Sequence, residues 1–165
     1  MLTGMYLLIN LGAPLVPSKK DIKKLEVTKT DQIIIPAVGI SAPIQSGGSE
    51  ALEKGAWHRY PERGNPVDGG NTIISAHSFI FDLNPLQTRK NSYFYNLHKL
   101  EVGNQVYMDW QGKRYEYKVS KKYDVKPNAT EIEAPSKEPK LTIYTCTPGG
   151  SADGRIVIEA TPKQT

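Results

Sequence analysis

Cys146, His77 and Arg155 are the side chains of this sequence that together could make and break an acyl bond. A thiol attacks a carbonyl as its thiolate, and a neighbouring imidazole or guanidinium supplies the positive charge that favours that form. An imidazole can also return a proton to a leaving amine. A guanidinium can hold a carbonyl oxygen as negative charge develops on it. Cys146 is the single cysteine of the chain, so it has no intramolecular disulfide partner. A lone cysteine is by default a small buried apolar residue, and its surroundings are what set this one apart.

Those surroundings are strand ends. The apolar run Leu141 to Thr145 predicts a strand that runs out at Cys146, followed by a glycine-rich loop from Thr147 to Gly154. The stretch Asn71 to His77 reads as a buried strand with His77 at its end, and Arg155 opens a last strand reaching Thr161. Strand ends of a barrel meet at one rim however far apart they lie in sequence. Alternation along the cysteine strand puts Tyr144 on the same face as Cys146. From there it lines a groove or packs in a core, and periodicity does not choose between the two.

The rest of the chain predicts more short strands. Ile33 to Ile35, stopped by Pro36, is one, and Gly39 to Ile44 is another. Ser49 to Glu53 reads as a short capped helix closed by Gly55. Pro61 to Gly70 and the stretch from Asn84 to Ser92 are loops, and a helical piece surrounds Tyr95 to Leu100. Gln105 to Trp110 and Arg114 to Val125 form a hairpin about Gln111-Gly112, and Pro127 to Pro139 is a long polar loop. Seven or eight short strands with little helix make an all-β domain, a sandwich or a closed barrel. The 14 glycines and 12 prolines are scattered in a way that suits such turns.

The local sequence around the three residues adds a resemblance. Thr142-Ile143-Tyr144-Thr145-Cys146 resembles the T-[LI]-x-T-C signature of sortases. Gly70 to His77 resembles the strand that carries their histidine, and Gly154-Arg155 with Ile156-Val157-Ile158 resembles their terminal arginine strand. The order His, Cys, Arg also agrees, and the likeness covers about Asp31 to Thr161. It implies a single closed β-barrel and a cysteine transpeptidase. Cys146 would form a thioacyl intermediate with the scissile carbonyl of a Leu-Pro-x-Thr-Gly-like sorting signal. His77 would serve as acid and then base, Arg155 would bind the substrate backbone or the oxyanion, and Thr145 would assist binding beside the nucleophile. Partners implied are surface proteins bearing the signal and an amine acceptor, such as a peptidoglycan precursor or a pilin lysine. The signal would lie in a groove shaped partly by the loop Pro127 to Pro139. Thr147-Pro148 is similar to the sequence after the cysteine in pilus-building members. No cofactor is implied, although some members bind calcium between loops that correspond to those carrying Glu62, Asp68, Glu131 and Glu133. Calcium needs six to eight oxygen ligands, and the spacing of these four reads as solvated loop charge. One cysteine and three widely spaced histidines argue against a zinc site.

Charge and length bound the alternatives. The chain has 165 residues and a net charge of +4, enough for one core and mildly favourable to an anionic membrane or wall polymer. Basic residues are not interleaved with aromatics, so nucleic acid is not the expected partner. Residues 31–165 read as the domain and residues 1–30 as an apolar lead and linker. Leu2 to Val16 is shorter than the ~20 residues of a spanning helix, and reads as the tail of a membrane anchor whose catalytic domain lies outside the cell, or as an amphipathic segment that packs on the domain. His58 and His98 read as ordinary surface or capping histidines. Rival readings are a β-barrel cysteine protease and a non-enzymatic wall-binding domain with Cys146 inert in the core. Peptidases of the NlpC/P60 type place cysteine before histidine, the reverse of this order.

Overall fold

The computed structural model describes residues 26–79, 83, 88 and 91–163. The apolar lead, most of the linker and most of the predicted 84–92 loop lie outside these residues. Among them no helix is long and apolar enough to cross a membrane.

Nine strands are present: β1 (Gln32–Ile35), β2 (Ile40–Gln45), β3 (Ala56–Arg59), β4 (Gly64–Asn65), β5 (Gly69–Ser75), β6 (Gln105–Trp110), β7 (Lys113–Val125), β8 (Lys140–Thr147) and β9 (Gly150–Pro162). Their order is β3-β2-β1-β6-β7-β9-β8-β5-β4, and a further β3–β5 pairing closes the ring. Eight strands therefore form a closed barrel and the two-residue β4 hangs on β5. This is the all-β closed barrel that the sequence implies. Closure leaves no long unpaired edge. Two pairings are parallel, β2–β3 and β5–β8.

Period-two patterning divides each strand between an inner and an outer face. Along β8, Leu141 and Ile143 point inward with Ile156, Ile158 and Ala160 of β9 into the main core. Tyr144 and Val157 point outward and, with Ile73 of β5, make a second small core capped by Ile132. Ile132 belongs to a 3₁₀ turn, Glu131–Glu133, inside the predicted long loop. That loop is thus packed on the outer face of the barrel.

Several boundaries differ from expectation. The predicted 147–154 loop is a hairpin: β8 continues to Thr147, β9 begins at Gly150, and Pro148 and Gly149 alone make the turn. Thr147 Oγ1 donates to the Asp153 carboxylate at 2.5 Å, which braces the polar stretch across the hairpin. Arg155 lies well inside β9 instead of opening it. β5 ends at Ser75, so His77 stands two residues beyond the strand. The helix predicted from Ser49 and the one around Tyr95 to Leu100 are 3₁₀ turns, Ser49–Glu53 and Leu97–Lys99. His58 is a core residue, not a surface one. It is 2% exposed on β3, its Nε2 lies 3.0 Å from Gly64 O, and it meets Trp110 edge-on. Its four-residue strand is too short to show a period, and only pairing with β5 turns the ring inward.

Candidate active site

β8 lies between β5 and β9, and its register sets the site. Ser75 is level with Tyr144 across the parallel β5–β8 pairing, and Tyr144 is level with Val157 across β8–β9. Two residues further on, Cys146 is the cross-strand partner of Arg155. Cys146 and Arg155 therefore face the same side of the β8–β9 pair. His77, two residues past the end of β5, shares one cleft with Cys146. Arg155 stands beside Cys146 but outside the lining of that cleft. Thr145 extends the β5–β8 contact past the strand end: its buried Oγ1 donates to Ala76 O at 2.7 Å. The hydroxyl ties the histidine segment to the cysteine strand.

Cys146 is half-buried and lines an open cleft of about 790 Å³ with His77, Thr145, Pro148, Phe79 and His98. It is not in the core. The backbone behind His77 is clamped, since its carbonyl accepts Phe94 N–H at 2.9 Å and Phe94 is fully buried. The His77 ring Nε2 lies 3.2 Å from Glu53 Oε1. Arg155 donates through one Nη to Ser151 O at 2.8 Å and Gly154 O at 2.9 Å. Among the described residues no carboxylate forms an ion pair with it, so its charge and remaining donors are available to an incoming oxygen.

Tyr144 shares the face of Cys146 but does not line the cleft. It is 6% exposed, and its hydroxyl donates to the Glu133 carboxylate at 2.5 Å. Burial first, and then the Glu133 carboxylate, hold its phenol above the ordinary range. Arg59 Nε lies 3.0 Å from the same carboxylate, Arg63 donates to Glu133 O at 2.7 Å, and Asn71 Nδ2 reaches Ala134 O at 2.9 Å. Arg59 and Tyr144 thus pin the long loop to the barrel. Of the four acidic residues considered for calcium, Glu133 is turned to Arg59 and Tyr144, and Asp68 accepts from Asn65 at 2.7 Å. Among the described residues no three His, Cys, Asp or Glu side chains are grouped as a metal would need.

The sequence reading did not single out Glu53, Phe79 or Tyr95. Phe79 and Tyr95 are more than half exposed on the cleft wall with ring centroids 6.1 Å apart. Alternation from His77 would have pointed to Phe79. Nothing local pointed to the others. His98 lies within its 3₁₀ turn with Nδ1 2.9 Å from Tyr95 O, and also faces the cleft.

These features define a β-barrel protein with a thiol-centred cleft. Residues 33–163 match the Sortase domain family model, and the chain belongs to the sortase family. It is 29% identical over 133 residues to sortase A of Staphylococcus aureus; that match covers 78% of this chain, which spans 60% of the relative's length. Among solved structures it is similar to a lid mutant of sortase A from Corynebacterium diphtheriae, at 26% identity and a TM-score of 0.69, covering 87% of this chain and 74% of that one. The pilus-related sortase C of Group B Streptococcus is 26% identical with a TM-score of 0.67, covering 93% of this chain and 77% of that one.

Proposed function

We propose that this chain is a cysteine transpeptidase that cleaves a sorting signal of the Leu-Pro-x-Thr-Gly kind and transfers the acyl part to an amine. The observation that carries the reading is the pairing of Cys146 with Arg155 across β8 and β9, with His77 on the same cleft as Cys146 just beyond β5. The Cys146 thiolate attacks the scissile carbonyl carbon, and Arg155 stabilises the oxygen as it becomes negative. Collapse breaks the C–N bond and leaves a thioacyl enzyme, while His77 gives its proton to the departing amine. The incoming amine loses a proton to His77 as its nitrogen displaces Sγ, which restores the thiolate and the imidazolium. Thr145 acts through the backbone it ties down. Tyr144 acts through the loop it holds, a wall of the groove for the signal.

The same reading takes surface proteins as donors and a peptidoglycan precursor or a pilin lysine as acceptor. It requires no cofactor. It assigns the apolar segment Leu2 to Val16 to a membrane anchor, with the catalytic domain on the outer side. Support for the thiol chemistry comes from an accessible Cys146 and a guanidinium without a carboxylate partner among the described residues.

Transfer is separated from hydrolysis by the acceptor. A bound, oriented amine must outrun bulk water for the thioacyl enzyme, an effective-molarity advantage. The enzyme would be mixed with a small library of signal peptides, with and without oligoglycine or a lysine-bearing acceptor. Ligated product with ping-pong kinetics is expected. Hydrolysis that none of the amines diverts would make the protein a peptidase.

A further inference from the structure

The contact between Glu53 and His77 joins two rigidly held segments. Glu53 ends the 3₁₀ turn Ser49–Glu53. Ala51 at the centre of that turn is 2% exposed, Lys54 N–H returns to Ala51 O at 3.1 Å, and Trp57 Nε1 donates to Gly47 O at 2.9 Å. A side chain at Gly55 would put its Cβ 2.3 Å from Pro43 O, so the chain leaves the turn pressed against β2. The two glutamates of the turn are used differently. Glu50 folds back on Gly48 N–H at 3.0 Å, whereas Glu53 reaches across to the imidazole. His77 is fixed from behind by Phe94. An exposed pair ordinarily gains little because two long side chains must be ordered; here only the Glu53 side chain and the ring remain to be ordered.

An imidazole has two nitrogens, and the partner of one decides what the other can do. A carboxylate at Nε2 favours the tautomer with its proton there, which leaves Nδ1 free to accept one. Among the described residues Nδ1 has no hydrogen-bond partner. Cys146, His98 and Tyr95 are the other ionisable groups on that cleft wall, and Arg155 stands beside Cys146 on β9.

We propose that Glu53 is the positioning residue for His77: its carboxylate accepts Nε2–H, turns the ring, and makes Nδ1 the atom that exchanges protons with the leaving and incoming amines. This rests on the reading of His77 as the proton carrier. The side chain of Glu53 is 66% exposed, so its removal should leave the barrel intact and act on turnover.

The test uses the full chain with a signal peptide and an amine acceptor, comparing Glu53→Ala, Glu53→Gln and His77→Ala. Glu53→Ala should lower kcat about two- to fivefold, the range an exposed charge pair sustains, with KM for the signal peptide and Tm unchanged. The ¹⁵N shifts of the His77 ring should move toward those of a free imidazole. Glu53→Gln keeps an acceptor oxygen and should recover part of the loss. Unchanged kcat, a change confined to KM, or a fall in kcat without a ring shift would overturn the inference. If His77→Ala is inactive while Glu53→Ala keeps the kcat of the parent, this inference falls alone. If His77→Ala turns over normally, the wider reading of the site falls with it.

Discussion

Cys146 and Arg155 are cross-strand partners on one hairpin, β8–β9, closed by the two-residue turn Pro148-Gly149. The thiol and the guanidinium therefore keep a constant relation set by the sheet, while His77 stands on the segment just beyond β5 that Thr145 ties to β8 through Ala76 O. The hairpin also holds the arginine at rest, through the carbonyls of Ser151 and Gly154.

Cys146→Ala should abolish cleavage and transfer, because no second thiol exists to replace it. His77→Ala should lower kcat/KM about a hundred- to ten-thousandfold, the range of a lost general acid-base. Mass spectrometry of peptide and enzyme checks both. Cleavage of the peptide, or a covalent acyl adduct, with the Cys146→Ala protein would remove Cys146 from its role.

Arg155→Lys should lose about a hundredfold or more in kcat/KM, as removal of an oxyanion donor does. An ammonium is a point charge and cannot hold Ser151 O and Gly154 O while presenting further donors in a fixed plane. Steady-state kinetics at saturating acceptor measures it. Turnover near that of the parent would show the guanidinium fork to be dispensable.

Glu133→Ala should cost about 1–3 kcal/mol of folding stability, since it strands the buried Tyr144 hydroxyl and the Arg59 guanidinium without their shared partner. The 3₁₀ turn Glu131–Glu133 would lose its tether, so KM for the signal peptide should rise more than kcat falls. Tyr144→Phe leaves the Arg59 contact in place and should cost less. Chemical denaturation, limited proteolysis of the loop and peptide kinetics together report the effect. Equal KM in parent and Glu133→Ala would mean that the loop does not shape the peptide site.

Stability should fall as pH is lowered, in two windows. Burial depresses the His58 imidazole below its ordinary value, against opposing contributions from Gly64 and nearby carboxylates. The unfolded chain then binds the extra proton first, so this contribution is complete above about pH 6.5 and declines below it. Burial alone would raise the Asp109 carboxyl, but hydrogen bonds from Arg114 and Gln32 outweigh it and hold it low. Its contribution is complete above about pH 4 and is lost below that. Thermal unfolding across pH should show both declines. His58→Gln should flatten the upper one and Asp109→Asn the lower one.

How much of this was legible depends on the range of the interaction responsible. The Gln111-Gly112 turn was readable, and both residues adopt positive φ, 50° and 75°. The strands on either side of it, β6 and β7, were readable too. Side-chain period and turn chemistry act over a few residues and are written locally. The T-x-x-T-C run, the histidine after β5 and the arginine of β9 marked the candidate site, because each motif sits in one short segment. Sequence could not say whether Tyr144 lines the groove. Tyr144 and Cys146 share a face, and the difference between them is that the 3₁₀ turn of a distant loop covers one and leaves the other open. Nor could it find the inward turn of His58, the hairpin from Thr147 to Arg155, or the reach of Glu53 to His77. Each of these depends on which strands pair and in what register. By itself the sequence determined the strand pattern and which residues are candidates for the reactive groups, since covalent chemistry and local conformational preference belong to individual residues. Only the closed barrel decided their company, because contacts between segments far apart in the chain form once the sheet has fixed their positions.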